Sequence, residues 1–369
     1  MKNSMENRVL KGKDAAFGCD FALALPRDRR QVRILQLTDM QVIDSSQRRV
    51  PDRLRADEIE AWMPDRFDAL CGDHVRSLVA QAQPDLIILT GDLVYGSFDD
   101  SGSTFSWFCR MMDSLGVPWA PVFGNHDNES RRGVDWQCEM LSGCRNCLFR
   151  RGDVTGNSNY SIGLVIGERL VRVIHMVDSN GCKGSDDPAV TRACGIYPDQ
   201  LASISETTEA IRLANGDAVP AFMAFHIPTV DFREVEYQKG YRTDERTKYT
   251  IGVDVPFSDG DFGFLLETHR AKLVEIDGFT DFLHETGIDG VFVGHFHATS
   301  TVIDYAGVRW VYGLKTGQYD YHVPGQIGGT LITLADGGFT VMHLPSLVHY
   351  APMPCGAEMF RGFFADGKE

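Results

Sequence analysis

Trp119-Ala120-Pro121-Val122-Phe123-Gly124-Asn125-His126-Asp127 is the stretch on which the reading of this chain turns. Five apolar residues, suited to a strand buried on both faces, run without a spacer into a glycine, an amide, an imidazole and a carboxylate. Polar groups delivered together from a strand end serve neither packing nor an ordinary turn, and they read as a site. An Asn side-chain oxygen ligates a hard or borderline divalent ion, and a neighbouring His can donate a proton or stabilise charge beside it.

Working outward, four further apolar runs end in the same way. Residues 32–37 alternate as a strand and finish in Thr38-Asp39-Met40-Gln41; residues 85–90 finish in Gly91-Asp92-Leu93-Val94-Tyr95. Residues 219–225 end in His226-Ile227-Pro228, and residues 289–293 in Gly294-His295-Phe296-His297. Ligands of open α/β sheets gather outside the carboxyl ends of the strands, so five such ends can converge on one point. A lone strand-end Asp is usually a turn former and a lone His a hydrogen-bonded structural residue; five in succession argue for a metal centre. Asp92 could bridge two cations while the other donors fill separate shells. Such a pair, about 3.5–4 Å apart, lowers the pKa of a bound water and clamps a phosphate in line.

The intervening sequence places these ends in an alternating α/β order. A first strand is expected at 21–25, helices at 65–82, 106–115, 133–141, 198–213 and 277–285, and a hairpin from 159–166 and 170–177. Residues 180–195, rich in Gly, Asp and Cys, read as an excursion. Residues 299–304, 308–312, 327–334 and 339–344 read as antiparallel strands. Residues 229–270 form a long polar segment studded with Tyr237, Tyr241, Tyr249, Phe257, Phe262 and Phe264, which predicts an ordered lid or specificity insert. The expectation is therefore one domain over 1–369, with that insert and a β-rich part at 299–345.

Composition excludes several functions. With 36 Lys+Arg against 51 Asp+Glu the net charge is −15, and no basic run concentrates enough charge to attract nucleic acid. No apolar stretch reaches the roughly 18 residues of a membrane span, and Asp14 and Asp20 interrupt the segment that could pass for a signal peptide. Nine cysteines, an odd number, predict free thiols in a reducing, cytoplasmic setting. Cys138, Cys144 and Cys147 hold a single C-x2-C pair, with Cys182 and Cys194 further on; no second pair completes a zinc motif, and they read as thiols.

Taken together, Asp39-Met40-Gln41, Gly91-Asp92, Gly124-Asn125-His126-Asp127, His226 and Gly294-His295-Phe296-His297 resemble the motif series of the calcineurin-like metallophosphoesterase superfamily, in its order, over about residues 32–315. The surrounding text is most similar to the purple-acid-phosphatase-like branch. The resemblance implies an α/β fold with a two-sheet β-sandwich flanked by helices and a dinuclear metal site at the strand ends. It implies two metal ions, of Fe, Mn or Zn, one held by Asp39, Asp92 and His297 and the other by Asp92, Asn125, His226 and His295. His126 would stand beside the leaving-group oxygen as general acid. The implied reaction is hydrolysis of a phosphate ester by a metal-bridging hydroxide, a monoester before a diester. The substrate would be a small molecule or a phosphoprotein, with no nucleic acid and no membrane as partner.

Two positions depart from or qualify that pattern. Gln41 stands where most of the superfamily has a His ligand, and a neutral amide is the poorer donor for borderline metals. Tyr95 matches the GDxxY of true purple acid phosphatases, in which the Tyr binds ferric iron; the alternative is an aromatic ring packing below the loop. Gln41 also leaves open a second class of function, a metal-bound but catalytically silent scaffold, against which the retention of His126 argues. A DNA-repair-type nuclease fits poorly with the acidic balance. His74, His175, His284, His343 and His349 read as structural, while His269 and His322 are candidates for contacts near the site.

Overall fold

The apolar runs become strands because each is too short for a helix, is rich in β-branched and aromatic residues, and is closed by Gly, Asp or Pro. The computed structural model describes residues 8–11, 16–46, 67–181, 194–241, 260–265, 273–323, 325–335 and 337–349. In chain order the strands are β1 (Arg8–Lys11), β2 (Phe21–Leu25), β3 (Gln31–Leu37), β4 (Leu86–Thr90), β5 (Trp119–Val122), β6 (Tyr160–Ile166) and β7 (Arg169–Met176). They continue as β8 (Ala221–Ala224), β9 (Ile288–Val293), β10 (Val302–Tyr305), β11 (Val308–Tyr312), β12 (Gly328–Ala335) and β13 (Gly338–Pro345). The helices are α1 (Phe67–Ala82), α2 (Ser103–Ser114), α3 (Val134–Gly143), α4 (Pro198–Asn215), α5 (Val230–Gln238) and α6 (Phe279–Glu285).

Two sheets result. The smaller runs β13-β12-β3-β4-β5, with β3, β4 and β5 parallel and β12 and β13 added antiparallel on the β3 edge. The larger runs β1-β2-β6-β7-β8-β9-β11-β10, and its parallel members β7, β8 and β9 point their carboxyl ends the same way. Alternation along the larger sheet divides its side chains between two cores. Ile174, Phe222 and Phe292 join Leu35, Leu37, Ile87 and Leu89 of the smaller sheet. Val173, Met223 and Val291, one residue out of phase, join Ile204 and Ile211 of α4, Phe232 and Val235 of α5, and Phe279 and Leu283 of α6. A buried side chain such as Phe222, fully enclosed, would cost about 3–5 kcal/mol if cut to Ala.

Helix α1 shows how local sequence fixes an element. Cys71, Val75, Leu78 and Ala82 recur at helical spacing, are buried, and face β3, β12 and β13, while Pro84 prevents continuation. Helix α4 begins with Pro198, and the Gln200 side-chain oxygen accepts the Tyr197 N–H at 2.7 Å; it ends at Gly216 in the left-handed region.

The expected α/β sandwich is what forms, with three differences of detail. Strand β1 was not anticipated, because Arg8 and Lys11 read as part of a basic stretch that could pass for the start of a signal peptide. The four C-terminal strands pair antiparallel as expected, β10 with β11 and β12 with β13, but in different sheets: β11 also pairs parallel with β9 in the larger, whereas β12 crosses to β3 in the smaller. Residues 229–270 are not a bare loop, since α5 opens the segment and Phe262 and Leu265 bridge to Val302 and Thr299; residues 242–259 and 266–270 lie outside the described residues. So do Cys182 and His269, while Cys138 and Cys147 are buried and Cys144 and Cys194 half-buried. Among the described residues, no helix is long and apolar enough to cross a membrane.

Candidate metal centre

The carboxyl ends of β3, β4, β5, β8 and β9 lie together, and Asp39, Asp92, Asn125, His226 and His297 come into contact there. Asp39, Asp92 and His226 are buried, and one ligand atom of each lies within 4.8 Å of the others. His226 Nε2 is 3.2 Å from Asn125 Oδ1 and 3.3 Å from Asp92 Oδ1. On the other side His297 Nε2 is 3.3 Å from Asp39 Oδ1. The His295 and His226 rings cross edge to face at 5.1 Å.

Backbone and outer hydrogen bonds fix these orientations. His226 Nδ1 donates to the Thr90 carbonyl at 2.8 Å and His297 Nδ1 to the Tyr321 carbonyl at 3.0 Å, so each ring turns Nε2 into the site. The Asp39 carboxylate accepts the His295 N–H at 2.9 Å and the Thr38 hydroxyl at 2.7 Å; Asp92 accepts the His126 N–H at 2.9 Å. Asp39, Gln41, Asp92 and His295 all have left-handed backbone, with φ of 50°, 45°, 50° and 74°. Strain of this kind persists where the surroundings over-determine it, and here it clusters where β3, β4 and β9 end. Gly294 is required by contact: a Cβ there would stand 1.9 Å from Thr38 Oγ1 and 2.6 Å from Asp39 Oδ2.

Electrostatics separate the groups. Burial works against a charge on Asp39 and Asp92, but the histidines beside them, His297 and His226 for Asp39 and His226 and His126 for Asp92, hold both carboxyls below the ordinary range. Burial and the Asp92 charge instead push Asp127 up to about 8. Asp127 accepts the Gly124 N–H at 2.7 Å and the Val94 N–H at 3.0 Å, stapling the loop after β5 to the loop after β4. Burial and the neighbouring His226 bring His295 down to about 3, which keeps it neutral and fit to ligate.

The donor set suits a cation. Carboxylate, amide and imidazole atoms converge from Asp92, Asn125 and His226, and buried Asp39 Oδ1 faces His297 Nε2. Gln41 fits less well. Its Nε2 donates to Asp92 Oδ2 at 3.3 Å, and its Oε1 accepts from Lys315 Nζ at 2.7 Å. Tyr95 lies with its ring stacked on His126, centroids 4.4 Å apart, between Phe98 and Tyr319.

Two residues escaped the sequence reading. Glu129 faces His126 Nδ1 at 3.0 Å; an acid three residues after His126 was the available signal. Lys315 is buried beside Asp39 and Gln41, and nothing local in Gly313-Leu314-Lys315-Thr316-Gly317 announces it. Of the other histidines, His322 is buried with Nδ1 on the Asp320 carbonyl at 3.0 Å, and His74 meets the Ser346 hydroxyl at 2.7 Å.

A sandwich of two sheets that gathers carboxylates, an amide and imidazoles at successive strand ends defines a class of metal-binding α/β proteins. The chain belongs to the calcineurin-like phosphoesterase family, whose model matches residues 32–299. It is 28% identical over 215 residues to an uncharacterized protein of Schizosaccharomyces pombe, covering 57% of this chain and 39% of that one. It is 24% identical over 279 residues to the Arabidopsis thaliana protein named "Probable inactive purple acid phosphatase 28", covering 68% and 62%. The chain thus spans less than two thirds of either relative. A solved purple acid phosphatase from yellow lupin seeds is similar at 12% identity and a TM-score of 0.47, covering 88% of this chain and 53% of that one.

Proposed function

We propose that the protein is a metal-dependent hydrolase of phosphate esters, acting on monoesters in preference to diesters. The observation that carries this reading is the approach of Asp92 Oδ1, Asn125 Oδ1 and His226 Nε2 to one another beside Asp39 and His297. Asp92, Asn125, His226 and His295 would hold one ion, and Asp39, Asp92 and His297 a second, of Fe, Mn or Zn. When bound, these ions supply Lewis acidity toward a phosphoryl oxygen and toward water.

The chain's own residues account for the rest. His126 shares its Nδ1 proton with Glu129, which leaves Nε2–H for the leaving-group oxygen, and the Tyr95 ring limits its rotation. The substrate is a small phosphate ester or a phosphoprotein; the net charge of −15 disfavours nucleic acid. Residues 229–270 would act as the selecting segment of a single-domain, cytoplasmic enzyme. Protein stripped of metal and resupplied with Mn²⁺, Fe or Zn²⁺ should hydrolyse an aryl phosphate, and inactivity with all of them on mono- and diesters sinks the reading.

A catalytically silent, metal-bound scaffold is the second reading. It is favoured by one contact, the engagement of Gln41 Oε1 by Lys315 at the position of a family ligand. An inactive protein that still binds metal would be its signature.

A further inference from the structure

Gln41 is a bridge with both ends used. An amide has one atom able to ligate a cation, its oxygen, and that oxygen accepts from Lys315 Nζ at 2.7 Å. The nitrogen end carries two hydrogens and points to Asp92 Oδ2 at 3.3 Å. Lys315 Nζ donates as well to the Asp39 carbonyl oxygen at 3.0 Å. A buried ammonium therefore stands against the backbone of one candidate ligand and is coupled through Gln41 to the carboxylate of another.

The placement of Lys315 is built into the fold. Thr316 N–H donates to the Thr38 carbonyl at 2.9 Å, Gly317 N–H to the Asp39 carbonyl at 3.2 Å, and Thr316 Oγ1 accepts the Thr38 N–H at 3.2 Å. The strand-like pairing brings the two loops so close that a Cβ at Gly317 would stand 1.8 Å from the Met40 carbonyl oxygen. Lys315 is 3% exposed.

We propose that Lys315 and Gln41 make the two halves of the centre unequal: Lys315 Nζ takes up the one Gln41 atom able to ligate and stands against the Asp39 carbonyl, so that the second metal ion binds on the Asp39 side far more weakly than the first on the Asn125 side. The inference rests on the metal-dependent reading above and deepens it. A cation entering beside Asp39 meets an ammonium in a low-dielectric site and lacks the imidazole that most of the family offers at position 41. Loss of a donor at this position weakens binding by about 100-fold.

The test is calorimetric titration of metal-stripped protein with Mn²⁺ at pH 7, with electron paramagnetic resonance of the product. Wild type is expected to bind one ion tightly and a second about 100-fold more weakly, so that dialysed protein keeps one ion per chain and gives an uncoupled Mn²⁺ spectrum. Lys315→Met combined with Gln41→His, checked for an unchanged circular dichroism spectrum, should keep two ions and show an exchange-coupled pair. Wild type that binds two ions with equal affinity overturns the inference, whether or not the variant folds. A two-step isotherm in a protein that hydrolyses no phosphate ester leaves the inference standing and removes the proposed function; hydrolysis by a protein with two equal ions does the reverse.

Discussion

His126 Nδ1 lies 3.0 Å from Glu129 Oε2, across a short 3-10 turn that begins at Asp127. Burial opposes a proton on His126, but the charge of Asp92 and the bond to Glu129 outweigh it and raise its pKa above the ordinary value. The pair is thus arranged to keep the imidazole protonated and aimed. If His126 is the general acid, His126→Ala should lower turnover by ~10²–10⁴ on alkyl phosphates and far less on nitrophenyl phosphate, whose leaving group needs no proton. Glu129→Gln should follow the same leaving-group pattern with a smaller loss of about 10-fold, metal content unchanged. Equal losses on both substrates would reassign the pair to phosphate binding or to the shape of the loop.

Metal binding should be visible in stability. Asp39, Asp92 and His226 gather charge in a buried space, and an ion that binds only the folded chain stabilises it by about 2.7 kcal/mol at a hundred times its dissociation constant. Thermal unfolding of stripped protein should therefore shift upward on adding Mn²⁺ or Zn²⁺. Asp92→Asn, which removes the carboxylate facing both halves, should abolish the shift, whereas His284→Gln, on the surface, should leave it intact.

A third prediction lies away from the centre. His175 on β7 is buried, and burial brings its pKa down to about 4 against 6.5 for the free side chain. The folded state excludes a proton that the unfolded chain accepts, so stability from this group is complete above pH 6.5 and is lost as the pH falls from there toward 4. Urea unfolding of stripped protein between pH 7 and 4.5 should show wild type losing stability faster than His175→Gln, by up to about 1.4 kcal/mol per pH unit. Parallel pH curves for the two proteins would rule this out.

How much of this was legible in sequence depends on how local each feature is. The strand ends were readable because β4, β5 and β8 are buried on every residue, leaving continuous apolar runs whose polar terminations stand out. The ligand candidates followed from those ends. Lys315 did not, because its burial arises from pairing with Thr38 and Asp39, some 276 positions earlier in the chain, and a single Lys in a glycine-flanked stretch looks like any solvated cation. Sheet membership failed for the same reason: β12 and β13 have the text of a hairpin, and nothing in them says that the pair joins β3 in place of β11. Glu129 was hidden by ordinariness, as an acid two positions after Asp127.

Tyr95 offers two outcomes that differ to the eye. Its ring is stacked on His126, with centroids 4.4 Å apart and planes 20° from parallel, and Phe98 and Tyr319 pack against it at 5.6 and 5.2 Å. A ring held this way can serve His126 through its face, and loss of the ring should then matter more than loss of the hydroxyl. On that reading Tyr95→Phe keeps most of the turnover while Tyr95→Leu, which removes the stacked face, lowers it about 10-fold on poor leaving groups and less on good ones. Protein loaded aerobically with iron is expected to be colourless in wild type and variant alike. A phenolate on Fe³⁺, the hard-ion alternative, would give a visible charge-transfer band that Tyr95→Phe bleaches. A pink or purple wild type would therefore move Tyr95 from a wall behind His126 to a ligand on the Asp39 side, where an anionic oxygen would offset the Lys315 charge.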